Sequence, residues 1–226
     1  MLKTEYHRNL PHFQHAGRQF FVTFRLKGTL PFTVFKTFQA ERDAAYARAA
    51  SFPDAERDQL RIKADKLLFV KIEGILDACA HGPKWLGEPR VARIVADKLR
   101  ADDQRHYELM AYCIMPNHVH AVMATEIQLQ RIPNEEEISE KNYRQLYQIL
   151  QEIKGNTAFH GNRVLGRGGT FWQHESYDHY VRNTVELGRI IRYVLQNPVK
   201  AGFVKEWRQW EFSYVHPDFA PDSVTL

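Results

Sequence analysis

Residues 106–115 and 118–125 are two apolar runs with only Pro116 and Asn117 between them. A link that short closes a tight turn, and a proline followed by an asparagine suits one. The runs therefore predict neighbouring antiparallel strands, and any fold for this chain must contain that hairpin. The second strand opens with His118-Val119-His120. Side chains two apart on a strand point to the same face. Both imidazoles then project from one side of a sheet, and such a pair is half of a metal site.

The rest of the chain supplies partners for that hairpin. Residues 20–26 are rich in β-branched and aromatic side chains and are followed by Gly28 and Pro31. They predict a further strand, with Arg25 on it and Arg18 beside it. Residues 32–50 and 54–79 predict two helices, the second with Leu67, Leu68, Ile72, Ile75 and Leu76 at helical spacing and Pro53 at its start. His81-Gly-Pro83 ends it. A third helix is expected over 88–99, a fourth over 143–157 and a last over 184–196, capped by Asn183 or Thr184 and stopped by Pro198. Strand, helices, two strands, helices is an α+β pattern with an antiparallel sheet and helices packed on it. We expect one domain over 1–210, with a helical insertion at about 33–100, an acidic loop at about 126–142, and a C-terminal tail over 211–226.

Composition narrows the function. The chain has 226 residues, 44% of them hydrophobic, enough for one sizeable core. No run of 18 apolar residues occurs, so no membrane partner is expected, and the N-terminus lacks an apolar signal segment, so the cytoplasm is the expected compartment. Cys79 and Cys113 form no CxxC pair, which disfavours a cysteine zinc site or a disulfide framework. A P-loop ATPase is disfavoured, because no GxxxxGK[ST] occurs. The net charge of +4 is a mild bias. Its distribution says more: acids gather at 134–140, whereas 154–169 carries Lys154, Arg163 and Arg167, five glycines and no acid. That glycine-rich segment reads equally as a solvated loop or as a phosphate-contacting one.

The last helix carries Tyr193 and Asn197. Four residues on a helix turn about 400°, so the two lie within roughly 40° of each other on one face. A phenol and an amide oxygen are thus presented side by side. A histidine pair plus one oxygen ligand leaves positions open on a divalent ion that must also hold a substrate. Tyrosine is a poor nucleophile at its ordinary pKa of about 10. A metal that polarises a phosphodiester lets a phenolate attack it. This assembly supports DNA strand cleavage through a covalent phosphotyrosine.

The chain resembles the single-tyrosine HUH transposases, and among them the REP-associated tyrosine transposases of bacteria. The resembling stretches are His7-Arg-Asn-Leu-Pro-His-Phe13 with residues 20–26, then Tyr112-Cys-Ile-Met-Pro-Asn-His-Val-His120. Phe171-Trp-Gln-His-Glu-Ser-Tyr-Asp-His179 and Tyr193-Val-Leu-Gln-Asn-Pro-Val-Lys-Ala-Gly202 follow in order. The resemblance implies a ferredoxin-like antiparallel sheet with packed helices. It implies Mg²⁺ or Mn²⁺ on His118 and His120, Tyr193 as nucleophile, and Asn197 as the third ligand. Relatives of the insertion-sequence kind often carry glutamine at the position of Asn197, so the shorter amide here reaches the ion directly or through water. The implied substrate is single-stranded DNA folded into a palindromic hairpin. Cleavage would leave a 5′ phosphate on tyrosine and a free 3′ hydroxyl, and the chain would act as a monomer or a homodimer.

Each residue also has a plainer reading. One histidine of a His-x-His can cap a carbonyl while the other meets solvent. A tyrosine beside Ile190, Ile191, Val194 and Leu195 is usually a core aromatic. Asn197 before a proline can be a helix C-cap amide. Tyr177, beside Asp178 and His179, is the rival nucleophile, but the residue four further on is Val181, which cannot bind metal. Trp172 is either core or a base-stacking platform, with core favoured. Lys154, Arg163, Arg167 and Lys200 are candidate DNA-backbone contacts or ordinary surface charge. Two functional alternatives remain. One is a domesticated, non-catalytic hairpin-binding protein, and the other is a phosphodiesterase that uses a metal-bound water.

Overall fold

The computed structural model describes residues 5–7, 11–133 and 137–220. Part of the His7–Phe13 stretch, part of the acidic loop and the last six residues therefore lie outside the described residues. A two-stranded ribbon of β1 (Glu5–His7) and β2 (Pro11–Phe13) precedes the main sheet. Then come β3 (Gln19–Arg25), α1 (Phe32–Ala49), α2 (Asp54–Asp77) and α3 (Pro89–Ala101). The hairpin predicted above is β4 (Glu108–Ile114) with β5 (His118–Ala124). After it follow α4 (Glu126–Leu129), α5 (Leu146–Val164), β6 (Tyr177–Tyr180), α6 (Thr184–Lys200) and β7 (Ser213–Val215).

The main sheet has the order β6-β3-β5-β4-β7, antiparallel throughout. With β3, β4, β5 and β6 counted one to four in chain order, the sheet reads four-one-three-two, which is the ferredoxin-like arrangement. α3 and α5 are its two crossover helices. The α1–α2 pair is an insertion in the first crossover, whereas α3, which falls within the 33–100 stretch expected to be inserted, is the crossover helix itself. Ser213–Val215, inside the stretch expected to be a tail, instead forms the edge strand β7 against Ala111, Tyr112 and Cys113. Three residues with partly buried aromatic and branched side chains are enough to satisfy the open edge of β4.

Period-two alternation sorts the sheet into two faces. Phe20, Val22, Phe24, Val119, Ala121 and Met123 point to one side, with Val91, Val95 and Leu99 of α3 and Leu146, Ile149 and Ile153 of α5. Phe21, Cys113, Met115 and Val122 point to the other, where Leu187, Ile191, Val194 and Leu195 of α6 cover them. The α6 residues recur at i, i+4, i+7 and i+8, a single apolar stripe. Burying each such side chain stabilises the fold by roughly 1.5–3 kcal/mol. A bulge between Leu109 and Ala111 puts Met110 and Ala111 on the same face.

Two helices run longer than their sequences suggest. α5 continues past residue 157 to Val164, so most of the glycine-rich segment is helical. Gly161 is there for space: a Cβ would lie 2.9 Å from the Phe171 ring. α6 continues through Pro198. A proline in the last turn forfeits one backbone bond, and the helix closes instead in a Schellman motif. The Phe203 amide reaches Pro198 O and the Gly202 amide reaches Val199 O, both at 3.0 Å, with Gly202 at φ +74°. Within 126–142, Gln128 ties the stretch down by donating to the carbonyls of His106 and Arg144.

Candidate active site

β5 delivers His118 and His120 to the α6 side of the sheet, opposite Arg25 and Thr23 of β3. Both are fully buried. Their Nδ1 atoms are occupied: His118 Nδ1 meets Asn117 Oδ1 at 2.7 Å and His120 Nδ1 meets Thr23 Oγ1 at 2.9 Å. Asn117 Nδ2 donates to Leu76 O, which fixes the amide with its oxygen toward His118. An amide oxygen only accepts, so His118 carries its proton on Nδ1 and presents a bare lone pair at Nε2. The two Nε2 atoms face each other at 2.9 Å. Burial holds His118 down to about 3 and His120 well below its ordinary value, with the neighbouring His118 adding to the latter. Both imidazoles are neutral, the form that binds metal.

α6 brings Tyr193 and Asn197 to the same place. The Tyr193 and His120 ring centroids are 5.4 Å apart, and Asn197 Nδ2 is 3.2 Å from His120 Nε2. Asn197 is not a solvent-facing cap but fully buried. Its Oδ1 is enclosed and meets no donor, an unfavourable state for an amide oxygen unless a cation or water completes it.

The sequence did not point to Glu73 and Asp77 of α2. Glu73 Oε2 lies 3.1 Å from His120 Nε2, and Asp77 Oδ1 lies 3.6 Å from His118 Nε2. Ligand atoms of Glu73, Asp77, His118 and His120 all fall within 4.8 Å of one another, so the group could hold a metal ion. Two neutral imidazoles, two carboxylates and an orphaned amide oxygen suit a divalent cation. The same carboxylates hold the α6 residues. Tyr193 Oη donates to Glu73 Oε2 at 2.6 Å and Asn197 Nδ2 donates to Asp77 Oδ1 at 3.0 Å. Burial raises the Glu73 carboxyl to about 8, and burial first, then the adjacent Glu73, raises the Tyr193 phenol far above its ordinary value. A usable signal was in the sequence. Glu73 and Asp77 are four apart on a helix and interrupt the apolar stripe of Leu68, Ile72 and Leu76.

The rival Tyr177 is on β6 opposite Thr23, its ring stacked on Phe69 of α2 at 3.8 Å. Burial raises its phenol as well. Trp172 is buried and donates from Nε1 to Thr157 Oγ1 at 3.0 Å, which makes it core. Of the four candidate DNA contacts, Lys200 alone joins the site, with Nζ 4.8 Å above the Tyr193 ring. Lys154 holds the loop before β6 by donating to His174 O and Ser176 Oγ. Arg163, in the last turn of α5, lies over the Phe159 ring, and Arg167, just beyond that helix, lies over the Trp85 ring. A cavity of about 60 Å³ reaches Thr23, Arg25 and Glu73. It shares Gln173, Glu175 and Ser176 with a groove of about 490 Å³ between α5 and residues 169–178.

No family model matches the sequence. A curated Haemophilus influenzae protein named for the REP-associated tyrosine transposases is 28% identical over 113 residues, 50% of this chain and 61% of the relative. The REP-associated tyrosine transposase of Escherichia coli K12 is 24% identical over 122 residues, 54% of this chain and 62% of the relative. The chain thus spans about three-fifths of the length of the curated relatives it matches. A solved structure of a REP-associated tyrosine transposase bound to a REP hairpin aligns over 97% of this chain and 87% of that one, at 19% identity and a TM-score of 0.49. No helix among the described residues is long and apolar enough to cross a membrane. Over about half its length, then, this chain is similar in sequence to the REP-associated tyrosine transposases.

Proposed function

We propose that the chain is a metal-dependent endonuclease and strand transferase for single-stranded DNA that folds into palindromic hairpins. The observation that carries this reading is the meeting of Tyr193 and Asn197, one helical turn apart on α6, with the His118–His120 pair. His118, His120 and Asn197 would hold the ion, with Asp77 and Glu73 within its reach. Bound there, Mg²⁺ or Mn²⁺ would polarise the scissile phosphodiester and offset its charge.

The chain's own residues account for the rest. Tyr193 Oη forms the new bond to phosphorus as the bond from phosphorus to the 3′ oxygen breaks. The phenol proton is lost to solvent, and the departing 3′ oxygen takes one up. The products are a 5′-phosphotyrosine and a free 3′ hydroxyl, and attack by another 3′ hydroxyl reverses the step and rejoins strands. Lys200, above the Tyr193 ring, is placed to neutralise a phosphate that approaches the phenol. Thr23 and Asn117 keep the imidazoles oriented throughout.

The test is incubation with labelled hairpin oligonucleotides and Mg²⁺ or Mn²⁺, followed by denaturing electrophoresis. Tyr193→Phe is expected to abolish the covalent band and Tyr177→Phe to retain it. The reverse pattern would make Tyr177 the nucleophile. Tight hairpin binding that persists in chelator, with no cleavage under any divalent ion, would instead assign the non-catalytic reading.

A further inference from the structure

The two carboxylates of α2 each hold one functional residue of α6. Glu73 takes Tyr193 and Asp77 takes Asn197, and both pairs are separated by 120 positions. The equal offset means that two i, i+4 pairs meet in register, with the helices running the same way along this contact. α2 makes a third contact of the same kind. Leu76 O accepts from Asn117, whose oxygen in turn sets the His118 tautomer, and Cys79 Sγ donates to that oxygen at 3.2 Å. Tyr193, Asn197 and, through Asn117, His118 are thus each held from the inserted segment that contains α1 and α2. None of these helical residues belongs to the ferredoxin-like core itself.

We infer that Glu73 and Asp77 are positioning residues, with Glu73 aiming the Tyr193 hydroxyl and Asp77 orienting the Asn197 amide, so that the nucleophile and the third ligand are assembled only when the inserted hairpin is docked. The inference rests on the strand-transfer reading above and deepens it. The physical reason is the freedom of the two α6 side chains. A tyrosine hydroxyl without a partner sweeps with its ring, and an asparagine amide can turn its nitrogen rather than its oxygen to a cation. Glu73 fixes the first at 2.6 Å. Asp77, an acceptor only, claims the Asn197 nitrogen, which also lies 3.2 Å from His120 Nε2, so the Asp77 contact sets which way the amide is turned and leaves Oδ1 without a donor. An arrangement of this kind places the reacting oxygen before substrate arrives, and holding it there is worth a large part of a barrier.

The experiment uses four variants of the full chain, with Mn²⁺ titration and single-turnover adduct formation on a hairpin oligonucleotide as readouts. Thermal unfolding is recorded for each. Glu73→Ala is expected to slow adduct formation about tenfold or more, with Mn²⁺ affinity and the half-saturating DNA concentration unchanged. Glu73→Gln, whose amide oxygen still accepts from the phenol, is expected to restore the rate. Asp77→Ala is expected to weaken Mn²⁺ binding about tenfold or more, and Asp77→Asn to restore it. Loss of Mn²⁺ affinity in Glu73→Ala, or failure of Asp77→Asn to restore it, would make the carboxylates direct ligands and overturn the positioning role. Adduct formation in Glu73→Ala at the wild-type rate would overturn it as well. Absence of any adduct from the wild-type protein would sink the strand-transfer reading, while the Mn²⁺ response to Asp77 would still decide the Asn197 arm.

Discussion

Tyr193 and Glu73 are 120 positions apart in the chain and 2.6 Å apart in space, joined by a hydrogen bond from the phenol to the Glu73 carboxyl group. The bond ties the proposed nucleophile to a helix that also roofs the histidine pair, which is fully buried. A resting site so arranged has a neutral phenol, neutral imidazoles and a carboxyl raised by burial. Four consequences can be measured.

The first concerns pH. Burial raises the Glu73 carboxyl from 4.5 to about 8. Between those values the unfolded chain ionises Glu73 and the folded chain keeps it protonated. Such a group contributes stability that is complete below the lower value and is lost as pH rises through the upper one. In chelator, Glu73→Gln should therefore gain stability relative to wild type as pH rises from about 5 to about 8, by up to about 1.4 kcal/mol per unit. Urea unfolding at stepped pH measures this difference, and a flat one would mean that Glu73 is ionised in the fold.

Orientation of the histidines gives the second. Thr23 Oγ1 is the partner of His120 Nδ1. Thr23→Val keeps the shape and removes that partner. Mn²⁺ affinity should fall by about 10- to 100-fold, as expected when the hydrogen-bond partner of a ligating imidazole is lost. Isothermal titration would show it, and an unchanged affinity would mean that Thr23 does not orient the ring.

The third tests the base of the inserted hairpin, where the chain passes through Gly28 on the way in and Gly82 on the way out. Gly82 has φ +71°, and a Cβ there would lie 2.4 Å from Gly28 O. Gly82→Ala should cost about 1–3 kcal/mol through backbone strain alone. Hydrogen exchange should rise across residues 32–77 more than in the β4–β5 hairpin. Uniform exchange across the chain would show that the insertion is not independently anchored there.

Trp172 supplies the fourth. Its indole donates to Thr157 in the core between the sheet and α5. Trp172→Phe removes that donor and some packing, and should lower stability by about 1–3 kcal/mol. Hairpin DNA binding, read by fluorescence anisotropy, should stay within about twofold. A large loss of affinity in a well-folded variant would return Trp172 to a stacking role.

Local periodicity carried much of the architecture. The Pro116-Asn117 turn, the alternation through β5 and the α6 stripe are set by neighbours in sequence, so they could be read directly. Local rules failed where tertiary contacts overrode them. Pro198 does not stop α6, because Gly202 supplies a better ending one turn later. Helix α5 runs through Gly155 and Gly161, because the second glycine admits the Phe171 ring. Ser213–Val215 became a strand because β4 offered an open edge.

The sequence by itself determined that His118 and His120 share a strand face and that Tyr193 and Asn197 share a helix face. Both follow from fixed periods of backbone geometry, which hold wherever the elements end up. Only the tertiary structure decided that these two faces meet, and that Glu73 and Asp77 stand between them. A carboxylate in a helix is ordinarily read as solvent-facing, because burying its charge costs so much. The local mark is slight: two acids four apart that interrupt the apolar stripe of Leu68, Ile72 and Leu76. Whether they turn inward depends on α2 packing across β5 and α6, where a phenol, an amide and two imidazoles provide the partners that make burial tolerable.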